Sequence, residues 1–204
     1  MPSDPSPASP SAPTHGSFLE GRDLRIVLIG VMLAMFLAAL DQTVIVTALP
    51  TIAADLGDEA YLPWVVTSYM LMATATAPLY GKYADIRGRR VALFLALGIF
   101  TVGSVACALS PTMLALVLAR ALQGLGAGGL MAVPMTIVAD AIPARDRGRY
   151  QGYITAVYAL ASLAGPVIGG TLTDFFDWSL IFWITLPLAA VAAVIGWPAL
   201  GRLP

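Results

Sequence analysis

The stretch ARALQGLGAGGLMAVP, residues 119–134, decides the fold. Gly124, Gly126 and Gly129 stand in it at the G-x-G-x-x-G spacing of a dinucleotide-binding loop, with Arg120 four residues before the first glycine. Such a loop has to follow a strand and open a helix. The residues before the glycines, MLALVLARALQ (113–123), are helix formers in an unbroken apolar run instead. Gly124 and Gly128 also form G-x-x-x-G, and Gly165 and Gly169 repeat that spacing. Small residues four apart let two helices approach closely. The glycines are therefore read as a helix-packing face within a membrane, where the backbone must bond to itself, and not as a phosphate loop.

Composition points the same way. Of 204 residues, 58% are hydrophobic and only 11% charged, against about 25% charged in ordinary soluble domains. A soluble fold of this size could not hide so much apolar surface. The net charge of −1 gives no sign of a nucleic-acid partner. Residues 1–22 differ: rich in Pro, Ser and Ala and without apolar periodicity, they are expected to form a disordered cytoplasmic tail ahead of a membrane bundle over 23–204. They lack the basic start and short apolar core of a cleaved signal peptide. The only histidine, His15, lies in this tail, so a Ser–His arrangement in the bundle has no base. The single cysteine, Cys107, excludes an internal disulfide and reads as a small packed residue. Neither catalytic residues, nor a metal site, nor a cofactor is expected.

A bilayer-spanning helix needs about 20 mostly apolar residues. Six segments qualify, near Leu24–Leu49, Leu62–Tyr80, Val91–Leu109, Met113–Val138, Tyr153–Leu172 and Leu180–Trp197. If they alternate across the bilayer, Arg22, Arg25, Lys82, Arg87, Arg89, Arg90, Arg145, Arg147, Arg149 and Arg202 fall on one side. The other side carries Asp55, Asp58, Glu59, Asp174 and Asp177 and no base. Ten independent charges would segregate so completely roughly once in 500 trials, and the basic side is the cytoplasmic one. Both termini are then cytoplasmic.

Two charges remain inside spans. Asp41 and Arg120 each cost about 2.5–3.5 kcal/mol near a helix centre, whereas an apolar Leu or Ile returns only about 0.3–0.6 kcal/mol. Such groups face a bundle interior or a wet cavity. Counted from Leu49 and Met113, both sit roughly 10–12 Å below the outer surface at 1.5 Å per residue, which permits them to pair. Gln123 shares the helical face of Arg120. Burial disfavours an ionised carboxylate and a nearby guanidinium favours it. A cavity that alternates between wet and dry, or that moves Arg120, could therefore load Asp41 with a proton and release it.

Four stretches resemble motifs of the major facilitator superfamily, especially its fourteen-span drug:proton antiporter group. LDQTVIVTALPTI (40–52) is similar to that group's first-helix motif. GKYADIRGRR (81–90) resembles the superfamily's loop signature between the second and third helices. LARALQGLGAGG (118–129) resembles the fourth-helix R-x-x-Q-G motif, and AGPVIGG (164–170) the antiporter motif of the fifth helix. The resemblance implies an all-α membrane protein whose six helices form one half, a 3+3 inverted repeat, of the facilitator fold. It implies a proton-coupled multidrug efflux antiporter of the plasma membrane, exchanging small hydrophobic or cationic substrates for protons across the lipid bilayer. Asp41, Arg120 and Gln123 would serve the proton-coupling cavity. Gly81, Asp85, Gly88, Arg89 and Arg90 would form a cytoplasmic gate latch. Gly165, Pro166, Gly169 and Gly170 would shape a bent, closely packed antiporter helix.

Ala161 departs from the fifth-helix motif, Ser179 and Leu180 stand where the family often has Arg-Trp, and Thr185 replaces a frequent asparagine before Pro187. Because alternating access needs two bodies, the chain is expected to be a fragment or truncated product, with a six-span homodimer as the alternative. The partner would be the missing carboxyl-terminal half or a second copy. A metabolite exporter of the same superfamily and a non-transporting truncated subunit are the competing functions.

Overall fold

A computed structural model describes residues 22–143 and 145–200. The tail read as disordered therefore lies outside the described residues up to position 21, as does Arg202. Among the described residues seven α-helices follow one another: α1 (Arg22–Leu56), α2 (Leu62–Arg87), α3 (Arg89–Ala108), α4 (Met113–Ala141), α5 (Arg147–Phe175), α6 (Leu180–Trp183) and α7 (Thr185–Leu200).

The helices outrun the apolar segments that announce them. α1 continues through Pro50 to Leu56, past the outer end expected at Leu49. Gly57 and Asp58 then turn the chain with positive φ, 69° and 50°, before a single 3-10 turn enters α2. The stretch read as a loop between the second and third spans is almost wholly helical. α2 and α3 are separated by Gly88 alone, whose φ of 93° favours a residue without a Cβ. Among the described residues five helices are long and apolar enough to cross a membrane, and α2 is not one of them. It has ample length at 26 residues, but hydroxyls along it and charges in its last turns dilute its hydropathy. The sixth span is continuous in hydropathy, and Ile184 between α6 and α7 keeps helical φ and ψ of −67° and −22°. The hydrogen-bond ladder is interrupted there, where Pro187 has no N–H to give, without a break in the backbone. Thr185 sits buried at that joint, its hydroxyl donating to the carbonyl of Phe182 at 2.6 Å.

Helix ends are secured locally. Thr112 caps α4 by accepting from the amide of Ala115 at 3.2 Å. At the far end Arg147 reaches back to the carbonyls of Ala139 (2.6 Å) and Ile142 (3.3 Å), acceptors the finished helix leaves open. At the acidic end of the bundle Trp178 Nε1 donates to Asp55 Oδ2 at 2.8 Å, tying the extension of α1 to the α5–α6 turn.

Packing follows the small residues. α4 lies against both α2 and α3, while α1 lies against both α5 and α7. Exchanging α1 with α4, α2 with α5 and α3 with α6–α7 maps one set of pairings onto the other, the pattern of two related three-helix units. A Cβ on Gly124 would meet the backbone of Tyr69 in α2, and one on Gly128 the carbonyl of Ala73. Gly126 faces the backbone of Ala96 and Phe100 in α3. Gly124 and Gly128, four apart, share one face, and Gly126 lies about 200° round the helix from Gly124, so the glycine run lets α4 pack between two neighbours on opposite faces. Gly165 and Gly169 of α5 sit in the same way against Thr43 and Thr47 of α1. Hydroxyls stitch these contacts: Thr43 donates to the Ala161 carbonyl at 3.0 Å, Ser68 to Val117 at 3.1 Å and Thr76 to Leu125 at 3.2 Å.

Candidate functional site

α1 crosses α4 near the middle of the bundle, and there the two intramembrane charges meet. Arg120 Nη1 donates to Asp41 Oδ2 at 2.6 Å. The same nitrogen donates to Gln123 Oε1 at 2.6 Å, and Gln123 Nε2 donates to Asp41 Oδ1 at 2.9 Å. The i,i+3 spacing that puts Arg120 and Gln123 on one face thus closes a ring around the carboxylate. Both carboxylate oxygens are occupied. Asp41 is 1% exposed and Arg120 and Gln123 are fully buried.

Two further helices complete the cluster. Ser104 of α3 accepts from Gln123 Nε2 at 2.7 Å, and the Cys107 thiol lies 3.5 Å from Gln123 Oε1. With two donors and two acceptor directions used, the Gln123 amide is saturated. Gly103 makes this possible, because a Cβ there would overlap the backbone of Gln123. From α2, Tyr69 lies under the guanidinium, with Arg120 Cζ 4.1 Å from its ring centroid. The Val65 carbonyl accepts from Arg120 Nε at 3.4 Å. A planar guanidinium can take a ring face, a carboxylate and an amide at once, which an ammonium cannot. Tyr69 and Ser104 go unnoticed in the sequence, and Cys107 reads there only as a small packed residue, because neutral residues in an apolar run carry no charge signal.

A cleft of about 400 Å³ opens beside this cluster, between α1, α2, α4 and α5. Gln42, Thr43, Met70, Arg120 and Pro166 are among its walls. Asp41 is not; it stands behind Arg120 and Tyr69, so the acid expected beside the cleft is screened from it by its own partner. The two threonine hydroxyls on this wall are turned inward to backbone carbonyls, Thr43 to Ala39, Leu40 and Ala161 and Thr47 to Val44, while Ser162 stays exposed. That leaves a largely apolar surface.

The fifth-helix motif divides between two tasks. Gly165 and Gly169 pack on α1, Pro166 lines the cleft, and Gly170 faces open space. At the basic end, Arg89 bridges two acids. Its Nη2 lies 2.6 Å from Asp140 Oδ2, and its Nη1 lies 3.1 Å from Asp85 Oδ1 without hydrogen-bond alignment. The short α2–α3 turn around Gly88 is thereby fastened to the end of α4. Arg90 takes no part in this group; its Cζ stacks 3.9 Å from the ring centroid of Trp197 on α7. Gly81 has open space on its Cβ side.

The comparisons with known proteins agree with this architecture. The family model of the Major Facilitator Superfamily matches residues 31–204. The chain is 40% identical over 208 aligned residues to an uncharacterized MFS-type transporter of Mycobacterium tuberculosis, covering 97% of the chain and 30% of the relative. It is 41% identical to the efflux pump FUS6 of Gibberella fujikuroi (86% of the chain, 32% of the relative). It is 38% identical to the multidrug transporter protein MdtP of Bacillus subtilis (86% and 33%). The chain thus spans about a third of the length of these curated relatives. Among solved structures, a D-xylose-proton symporter superposes with a TM-score of 0.75 at 18% identity, over 89% of this chain and 48% of that one. The human organic anion transporter MFSD10 superposes with a TM-score of 0.73 at 21% identity, over 89% and 48%. With four helices converging on one buried acid–guanidinium pair, and with relatives matched along nearly its whole length, this chain belongs to the Major Facilitator Superfamily and forms one half of its fold.

Proposed function

We propose that residues 23–204 form the amino-terminal bundle of a proton-coupled efflux antiporter of the plasma membrane, with both termini cytoplasmic. Relatives named as an efflux pump and a multidrug transporter support the direction of transport. The apolar wall of the cleft supports a small hydrophobic substrate. The single observation that carries the reading is the sealed pair of Asp41 and Arg120, 2.6 Å apart, with one partner on α1 and the other on α4. Protonation of Asp41 removes the charge that holds Arg120. The guanidinium, already on the cleft wall, is then free to leave, and α1 is free to shift against α4. Return of the proton to water restores the pair. Proton occupancy and helix position are linked through one bond.

A companion bundle closes the other side of the cleft. α5 is the least buried of the membrane-length helices, and Leu160, Leu163 and Val167 project from it uncovered, as do Met70, Leu71 and Leu79 from α2. Lipid or a second bundle can cover such a face; a pathway with two walls requires the bundle. In this reading Asp85, Gly88 and Arg89 form a cytoplasmic latch that fixes the α2–α3 turn in one state, while Gly81 and Arg90, expected with them from the motif, lie outside those contacts.

The test is flux in reconstituted vesicles containing the companion bundle. Asp41→Asn abolishes proton-coupled export while leaving expression unchanged. Undiminished coupling in that variant rejects the reading, and the absence of flux in the unaltered protein favours a non-transporting subunit.

A further inference from the structure

The lipid-side face of α3 has a groove that shares no residue with the cleft beside Arg120. Two open-sided hollows, of about 520 Å³ and 310 Å³, flank the line from Phe94 through Gly98 to Val102. The larger runs between α3 and α7, against Leu186 and Ala190. Gly98 is the low point between them, and a Cβ there would meet nothing within 4 Å. The only hydroxyl on the larger wall, Thr101, donates to the carbonyl of Leu97 at 2.7 Å, so the lining is largely apolar.

The basic end of this groove is chemically different. Trp197 presents one face to Arg90 at 3.9 Å and meets the edge of Phe94 at 5.1 Å between ring centroids. The three side chains form one cluster at the groove mouth, and Trp197 remains 58% exposed. Arg89 has two carboxylates, whereas Arg90 has none within ion-pair distance among the described residues. A positive charge is thus fixed by an aromatic ring and left without an anion. From Arg90 to Val102 the helix rises roughly 18 Å, close to the depth of one leaflet of a hydrocarbon core about 30 Å thick.

We propose that this groove binds an anionic phospholipid of the leaflet on the basic side. Its phosphate sits on Arg90 beside Trp197, and one acyl chain lies along Phe94, Gly98 and Val102. The assignment of that leaflet as cytoplasmic rests on the orientation given above. Lipid retention in detergent is indifferent to sidedness, so failure of the site is distinguishable from failure of the orientation.

The purified full chain is exposed to equal amounts of phosphatidylglycerol and phosphatidylcholine with identical acyl chains, and retained lipid is counted by native mass spectrometry. Phosphatidylglycerol is retained about fivefold more, the preference expected from one basic group near the headgroups. Arg90→Gln brings the two lipids to parity. Arg87→Gln, on an exposed residue at the end of α2 and outside the groove, keeps the preference. Gly98→Leu fills the groove and lowers retention of both lipids. Equal retention by the unaltered chain overturns the proposal, as does an equal fall in preference with Arg87→Gln and Arg90→Gln. If Arg90→Gln does not fold, unchanged lipid retention in Gly98→Leu overturns it alone.

Discussion

Asp41 and Arg120 announce themselves because each is expensive in an apolar run, and the structure brings them into contact. Gln123 is legible through its three-residue spacing from Arg120. Tyr69, Ser104 and Cys107 are not, since a hydroxyl or thiol costs little and occurs elsewhere in the spans. Nor does the sequence say that Asp41 hides behind its partner, because depth counted along a helix says nothing of which face is covered. A buried pair of this kind is defined more by the harm of breaking it than by the gain of having it. Arg120→Met strands Asp41 and should cost about 3–5 kcal/mol in chemical unfolding of the purified chain. The double variant Asp41→Leu with Arg120→Met should recover most of that loss. A double variant as unstable as the single one would show that the pair is wanted for its own energy. Arg120→Lys should also destabilise, because an ammonium cannot keep the Tyr69 face, the Val65 carbonyl and the carboxylate together.

Among the elements, identity was easier to read than extent. Hydropathy locates helices where they cross hydrocarbon and is silent beyond it, so the last two turns or so of α1 and the polar ends of α2 and α5 fall outside the expected spans. The glycines of α4 could be assigned to packing from the sequence. Their two neighbours could not, because spacing gives a face and not the helix that covers it. The distinction between packed and open glycines is measurable. Gly126→Ala puts a methyl group against the backbone of Ala96 and Phe100, which cannot rotate away, and should destabilise the chain by about 1–3 kcal/mol. Gly152→Ala, on α5 with nothing within 4 Å, should stabilise it by about 0.5–1 kcal/mol. Thermal and denaturant unfolding of the two variants beside the parent checks both signs.

For the whole molecule, the segregation of bases from acids predicts one orientation, and Cys107, fully buried, provides an unreactive background for testing it. Single cysteines at Glu59 and Asp174 should react with an impermeant maleimide in intact cells, and those at Lys82 and Arg145 only after permeabilisation; the reverse pattern inverts the topology. The surface awaiting a companion is not legible in sequence, because residues that face lipid and residues that face a second bundle are equally apolar. The central claim is that a proton on Asp41 and the bond to Arg120 exclude one another during transport. Infrared difference spectroscopy in the complete, membrane-embedded assembly tests it most directly, comparing outward- and inward-facing conditions. The account predicts a protonated-carboxyl stretch that appears in one condition only and is missing from Asp41→Asn. A carboxylate signal from Asp41 that stays constant through the cycle would contradict it.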